Sequence, residues 1–186
     1  MWPCWGYAVS MDILPLPPPR SLTVFCAPGG SLEPVAQVMA ELALRGPLTV
    51  LDGGNRFPAY HLIRLISGRI FDPSSVLQHT FIRRAFTCHQ VLAMLEGTLT
   101  LPQPCILLDL LATFYDEQVP VQEVRRLLDG ALRQVERLCQ VSPVLVTATP
   151  PHTTGRAFLL EQLCARANQL FALELPASPP LQPALF

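Results

Sequence analysis

The sequence predicts one three-layer α/β domain around a mostly parallel central sheet, and three observations lead there. Short apolar runs alternate with amphipathic stretches from Ser21 to Leu175. Two of those runs end on an aspartate, Asp52 and Asp109, as strands do at a ligand-bearing sheet edge. Half of the residues are hydrophobic, 15% are charged and the mean hydropathy is +0.35, a balance suited to strands covered on both faces.

The elements follow in order. Leu22–Ala27 reads as a strand broken by Pro28-Gly29-Gly30, and Ser31 is placed to cap a helix running to about Arg45. Gly46-Pro47 stops that helix, and Leu48–Leu51 forms a second strand finishing at Asp52. Gly53-Gly54 turns the chain, and Pro58 opens a helix to about Ser67. A short helix after Asp72-Pro73 and a strand over about 79–85 come next. Thr87 caps a helix over Cys88–Glu96, and Cys105–Leu108 is an apolar strand ending at Asp109. Val121–Cys139 is the clearest amphipathic helix, with Val124, Leu127, Leu128, Ala131, Leu132, Val135 and Leu138 at helical spacing. Val144–Thr147, a helix over Arg156–Ala167 and a strand over Leu170–Leu175 complete the alternation.

A chain of 186 residues suits one domain. Residues 1–20, with Trp2, Trp5 and the prolines at 15, 17, 18 and 19, read as an N-terminal arm; 21–175 form the domain, and 176–186 a proline-rich tail. No apolar run reaches the roughly 20 residues of a membrane span, so no membrane role is expected. All thirteen basic residues are arginine. The absence of lysine excludes a Schiff-base lysine and a standard phosphate-loop lysine. The formal net charge of -1 announces no strong nonspecific hold on nucleic acid. Six cysteines without C-x-x-C spacing read as free thiols of a reducing compartment. The expected location is the cytoplasm or nucleoid, or the nucleus in a eukaryote.

Three strand ends carry the candidate chemistry. After the first strand, Gly29, Gly30 and Ser31 have the turn and helix start of a phosphate cradle. Glu33 and Pro34, however, put a negative charge and a missing N–H where an anion needs donors. After the second strand, Asp52 is a candidate metal ligand, and Asn55 and Arg56 are candidate phosphate contacts. The same polar residues also suit turn capping. Asp109 ends Ile106-Leu107-Leu108, where a carboxylate faces magnesium in nucleotide hydrolases.

Four segments in order resemble the ATPase core of RecA-like recombinases, the archaeal and eukaryotic strand-exchange proteins and their paralogues. They are Leu51–Pro58, Arg84–Gln90 (arginine-alanine-phenylalanine, then a helix with histidine-glutamine), Ile106–Tyr115 and Val144–Thr149. The likeness covers about residues 21–150 and implies a RecA-like three-layer domain. This chain departs from the family at its chemistry. The Gly-Lys-Thr/Ser of the family's first loop is Gly30-Ser31-Leu32 here, its water-activating glutamate maps to about Gly54, and its Asn-Gln pair is matched by Ala148-Thr149.

The resemblance and its departures imply a catalytically degenerate accessory or interaction protein, in DNA recombination or repair, with ATP hydrolysis disfavoured. No cofactor is then expected. The partner is a protein or oligomer, such as a RecA-like subunit, with weak or indirect DNA association. One alternative is an active ATPase with an altered loop, in which Asp52 and Asp109 hold magnesium and Arg56 assists the phosphates of ATP. Another is an interaction module unrelated to DNA.

Overall fold

A computed structural model describes residues 7–8, 14–27, 32–151 and 153–172. Its strands are β1 (Tyr7–Ala8), β2 (Leu22–Cys26), β3 (Leu48–Asp52), β4 (Thr80–Arg84), β5 (Cys105–Leu108), β6 (Val144–Ala148) and β7 (Gln169–Ala172). Its helices are α1 (Glu33–Arg45), α2 (Ala59–Ser67), α3 (Pro73–Leu77), α4 (Cys88–Glu96), α5 (Val121–Cys139) and α6 (Ala157–Cys164). The strands form one sheet in the order β1-β7-β2-β6-β5-β3-β4, and every pairing is parallel.

This order fixes the three layers. From β2 to β4 the chain moves toward one edge, and from β4 to β7 it comes back. Right-handed crossovers put connections of opposite travel on opposite faces. Accordingly, one core joins α1 and α2 to Phe25, Val50, Ile106, Leu108 and Leu145. The other joins α4, α5 and α6 to Val24, Leu51, Leu107 and Val146. Neighbouring residues of a strand thus feed opposite cores, so the inner strands read as unbroken apolar runs. The chain is a doubly wound α/β domain of the broad Rossmann and P-loop class.

The packing of α4 on α5 depends on one small residue. A Cβ at Gly130, in mid-helix, would lie 3.1 Å from Leu92 Cδ1, so glycine lets α4 approach closely. Arginines tie the helix ends down. Arg137 donates to the Leu95 and Thr98 carbonyls, and Arg83 donates to those of Met94 and Gly97. Four carbonyls at the end of α4 thereby find donors.

Several boundaries differ from the sequence expectation, for local reasons. At the start of α1 the cap position is Leu32, without a side-chain hydrogen bond; Ser31 lies outside the described residues. The helix ladder begins with Ala36 N–H donating to the Leu32 carbonyl. The helix expected over Arg156–Ala167 is shorter. Arg156 turns inward, donating to the Phe114 and Val119 carbonyls at 2.6 and 2.7 Å, and a 3-10 turn over Thr154–Arg156 precedes α6. Beyond Cys164 the helix ends, which lets Asn168 reach β2. Its N–H donates to the Leu22 carbonyl and its Oδ1 accepts from Leu22 N–H.

Described parts of the N-terminal arm join the domain. Tyr7 and Ala8 pair with Phe171 and Ala172, and Leu14 is buried in the core under α1. Trp2, Trp5 and the 176–186 tail lie outside the described residues.

The edge strand β4 departs from the parallel-sheet pattern. Phe81 and Ile82 point to opposite faces, yet both are about half exposed, at 54% and 45%. Truncating Leu107→Ala in β5, where the side chain is 1% exposed, is expected to cost about 2–5 kcal/mol in urea unfolding. Phe81→Ala is expected to change stability by less than about 1 kcal/mol.

Candidate functional site

The two aspartates end β3 and β5, which lie side by side although the chain leaves them for opposite faces of the sheet. Such a divergence opens a crevice at the carboxyl edge, where doubly wound domains bind ligands. The same divergence separates β2 from β6. The chain's candidate chemistry therefore converges on one sheet edge.

Asp52 is fully buried and its carboxylate is engaged by its own chain. Oδ1 accepts from Arg56 N–H at 2.9 Å. Oδ2 accepts from Phe57 N–H at 3.1 Å and from Arg84 Nε at 2.9 Å. The first two bonds fold the 53–57 turn back on β3. The third ties that turn to the edge strand β4, with Arg84 still 40% exposed at its side chain. Charge-assisted bonds of this kind are about twice as strong as neutral ones, and the buried carboxylate needs them.

Asp109 lies just beyond β5 with φ 48°, in the left-handed region. Its N–H donates to Thr147 Oγ1 at 2.7 Å, and its Oδ1 accepts from Thr149 N–H at 3.1 Å. Its Oδ2 lies 3.7 Å from Arg56 Nη1, an ion pair. Thr147 and Thr149, from the end of β6, thus clamp Asp109 at both its amide and its carboxylate. Tyr115 closes the same corner by donating to the Thr149 carbonyl at 3.0 Å. Burial, then the negative Asp109, pushes its phenol well above the usual range.

Gly54 connects the two aspartates sterically. A Cβ there would lie 2.6 Å from Asp109 Cβ and 3.0 Å from its Oδ2. No side chain fits at Gly54 unless Asp109 moves.

The structure brings Asp52, Arg56 and Asp109 together, with Asn55 at φ 55° in the connecting turn. Gly29, Gly30 and Ser31 lie outside the described residues. Arg56 and Asp109 line a small pocket with Phe25, Ala27, Leu32, Thr147, Ala148 and Thr149, whose volume of about 10 Å³ has space for roughly one water. At the start of α1, Glu33 lies 3.9 Å from His61. As magnesium ligands, Asp52 and Asp109 would have to exchange their present N–H and guanidinium partners. Among the described residues, no three His, Cys, Asp or Glu side chains are grouped to hold a metal.

Sequence reasoning named the aspartates and missed their partners. Arg84, Thr147 and Thr149 each stand at the end of a strand. Hydroxyls and guanidinium groups at such ends are the available signal, but which strands are neighbours depends on the topology.

A second constellation lies at the start of α4. Cys88 Sγ is 3.7 Å from His89 Nδ1, and His89 Nε2 is 3.2 Å from Glu123 Oε1, which also accepts from Arg126. The order resembles a thiol, base and orienting carboxylate. Burial nevertheless raises the Cys88 thiol, and the residue is only 1% exposed, which opposes a nucleophilic thiolate.

No protein-family model matches the chain, and no curated protein matches its sequence. Among the described residues, no helix is long and apolar enough to cross a membrane.

Gly54→Ala is expected to destabilise the domain by about 1–3 kcal/mol in denaturant titration. Gly155→Ala, with nothing within 4 Å of its added Cβ, is expected to stay within about 0.5 kcal/mol of the parent. Adding Asp109→Gly to Gly54→Ala removes the opposing Cβ at a backbone angle that suits glycine. The double variant is expected to be more stable than the sum of the two single changes.

Proposed function

We propose that this chain is a non-hydrolysing RecA-like domain that works by binding a protein partner in DNA recombination or repair. The partner class is another RecA-like subunit, and contact with DNA is weak or made through that partner. The observation that carries the non-hydrolysing part is the approach of Asp109 to Gly54. The resemblance assigns a water-activating glutamate to this position, and the packing leaves no space for its Cβ. Without that group and without a lysine, phosphoryl transfer would lack both its water-positioning base and a charge-neutralising cation.

Binding is supported by exposed aromatic side chains, Phe81 on β4 and Phe86 just after it among them. Tyr60, Phe81 and Phe86 are 83%, 54% and 65% exposed, and Phe71 is fully exposed. Exposed aromatics are the residues that most often anchor protein interfaces. Three of the thirteen arginines, Arg83, Arg137 and Arg156, are occupied by the chain's own carbonyls. The recombination setting rests on the four resembling segments alone.

The test is affinity purification of the full chain from its native cells, beside a Phe81→Glu, Phe86→Glu variant. Recombination or repair proteins are expected with the parent chain, with recovery reduced about tenfold or more by the variant. The purified chain is expected to release no phosphate from ATP. Consistent absence of such partners, or turnover abolished by Asp109→Asn, would count against the proposal.

A further inference from the structure

A second cavity opens at the amino edge of the sheet, at the opposite end of the strands from the two aspartates. Its volume is about 340 Å³, within the range of small-molecule sites. Arg20 and Leu22 line it at the start of β2, and Asn168 just before β7. Glu136 and Cys139 enter from the last turn of α5, and Arg166 from the chain after α6. β2 and β7 run parallel and side by side, so their first residues share this edge.

The strand start that forms one wall is firmly held. Asn168 N–H donates to the Leu22 carbonyl, and Leu22 N–H donates to Asn168 Oδ1 at 2.8 Å. Val144 N–H donates to the Ser21 carbonyl, and Ser21 Oγ donates to that of Pro18 at 2.7 Å. Arg20, in the middle of these bonds, has φ 53°, an uncommon angle for a residue with a side chain. With Oδ1 engaged, Asn168 has its Nδ2 hydrogens left to offer a ligand.

The charges in the cavity do not cancel. Arg166 is paired with Glu136. The Arg20 guanidinium has no hydrogen-bond or ion-pair partner among the described residues. One positive charge is therefore left over. Cys139 adds none, since burial, then the negative Glu136, pushes its thiol up to about 11. Glu136 and the C-terminal ends of α5 and α6 oppose a second negative charge on any ligand.

We propose that this cavity binds a small organic monocarboxylate. The Arg20 fork takes the carboxylate, Asn168 Nδ2 donates to one of its oxygens, and the apolar body lies against Leu22 and Cys139. A monoanion matches the single uncompensated charge, whereas a phosphate dianion meets Glu136 and two helix carbonyl ends. The site is separate from the carboxyl-edge crevice and does not depend on the proposed partner binding.

The test titrates the isotope-labelled full chain with sodium benzoate and follows its amide resonances. Sodium chloride at matched ionic strength and inorganic phosphate are run beside it. Benzoate is expected to give saturable shifts of the Leu22 amide and the Asn168 side-chain amide. Chloride is expected to give none, and phosphate to bind at least about tenfold more weakly. Arg20→Gly removes the guanidinium at a backbone angle that suits glycine, so the variant is expected to stay folded. Its benzoate affinity is expected to fall by about tenfold or more, as for loss of a charged hydrogen bond. Arg64→Gln, which removes the same charge from α2, is expected to leave the affinity unchanged. Shifts that fail to saturate, or that chloride reproduces, would overturn the proposal. So would phosphate binding as tightly as benzoate, saturable shifts centred on Asp109, or undiminished affinity in Arg20→Gly.

Discussion

The carboxyl edge of this domain depends on two aspartates held by the chain that surrounds them. Asp52 folds its own turn back on β3 and draws in Arg84 from β4. Asp109 is fixed from β6 by Thr147 and Thr149, and pairs with Arg56 from the turn that Asp52 holds. Four adjacent parallel strands, β4, β3, β5 and β6, are thereby tied at one end by side chains as well as by their ladders. A buried carboxylate stripped of such partners would cost several kcal/mol, so the ties and the burial require each other.

That constraint shapes the chemistry left to the site. In a phosphoryl-transfer enzyme, aspartates at strand ends face a cation and its waters. Here they face backbone amides, arginines and each other's loops, and Gly54 lies where a further side chain would collide with Asp109. The arrangement keeps the scaffold of a ligand crevice while its polar groups serve the fold. The exposed Phe81 and Phe86, on β4 and just after it, are what supports the proposed binding role.

Much of the fold was legible in the sequence because its signals are local. The Val121–Cys139 periodicity gives α5 its bounds, Thr87 caps α4 through Gln90 N–H, and Cys105–Leu108 is the expected apolar strand. What could not be read depends on contacts between distant segments. The shortened α6 follows from Arg156 turning inward and Asn168 reaching β2. The joining of Tyr7 and Ala8 to β7 follows from an edge that exists only once the sheet is assembled. Asp52 and Asp109 were recognisable as strand ends, but their occupation by Arg84, Thr147 and Thr149 is set by strand order, which the linear pattern leaves open.

The most direct measurement is the melting temperature of the purified chain with and without millimolar magnesium and ATP, repeated for Asp52→Asn. A ligand bound only by the folded state must raise Tm. If the aspartates serve the fold, Tm is unchanged by magnesium-ATP, and Asp52→Asn lowers it with or without nucleotide. A Tm rise that requires magnesium and disappears in Asp52→Asn, with the nucleotide-free Tm unaltered, would contradict the account.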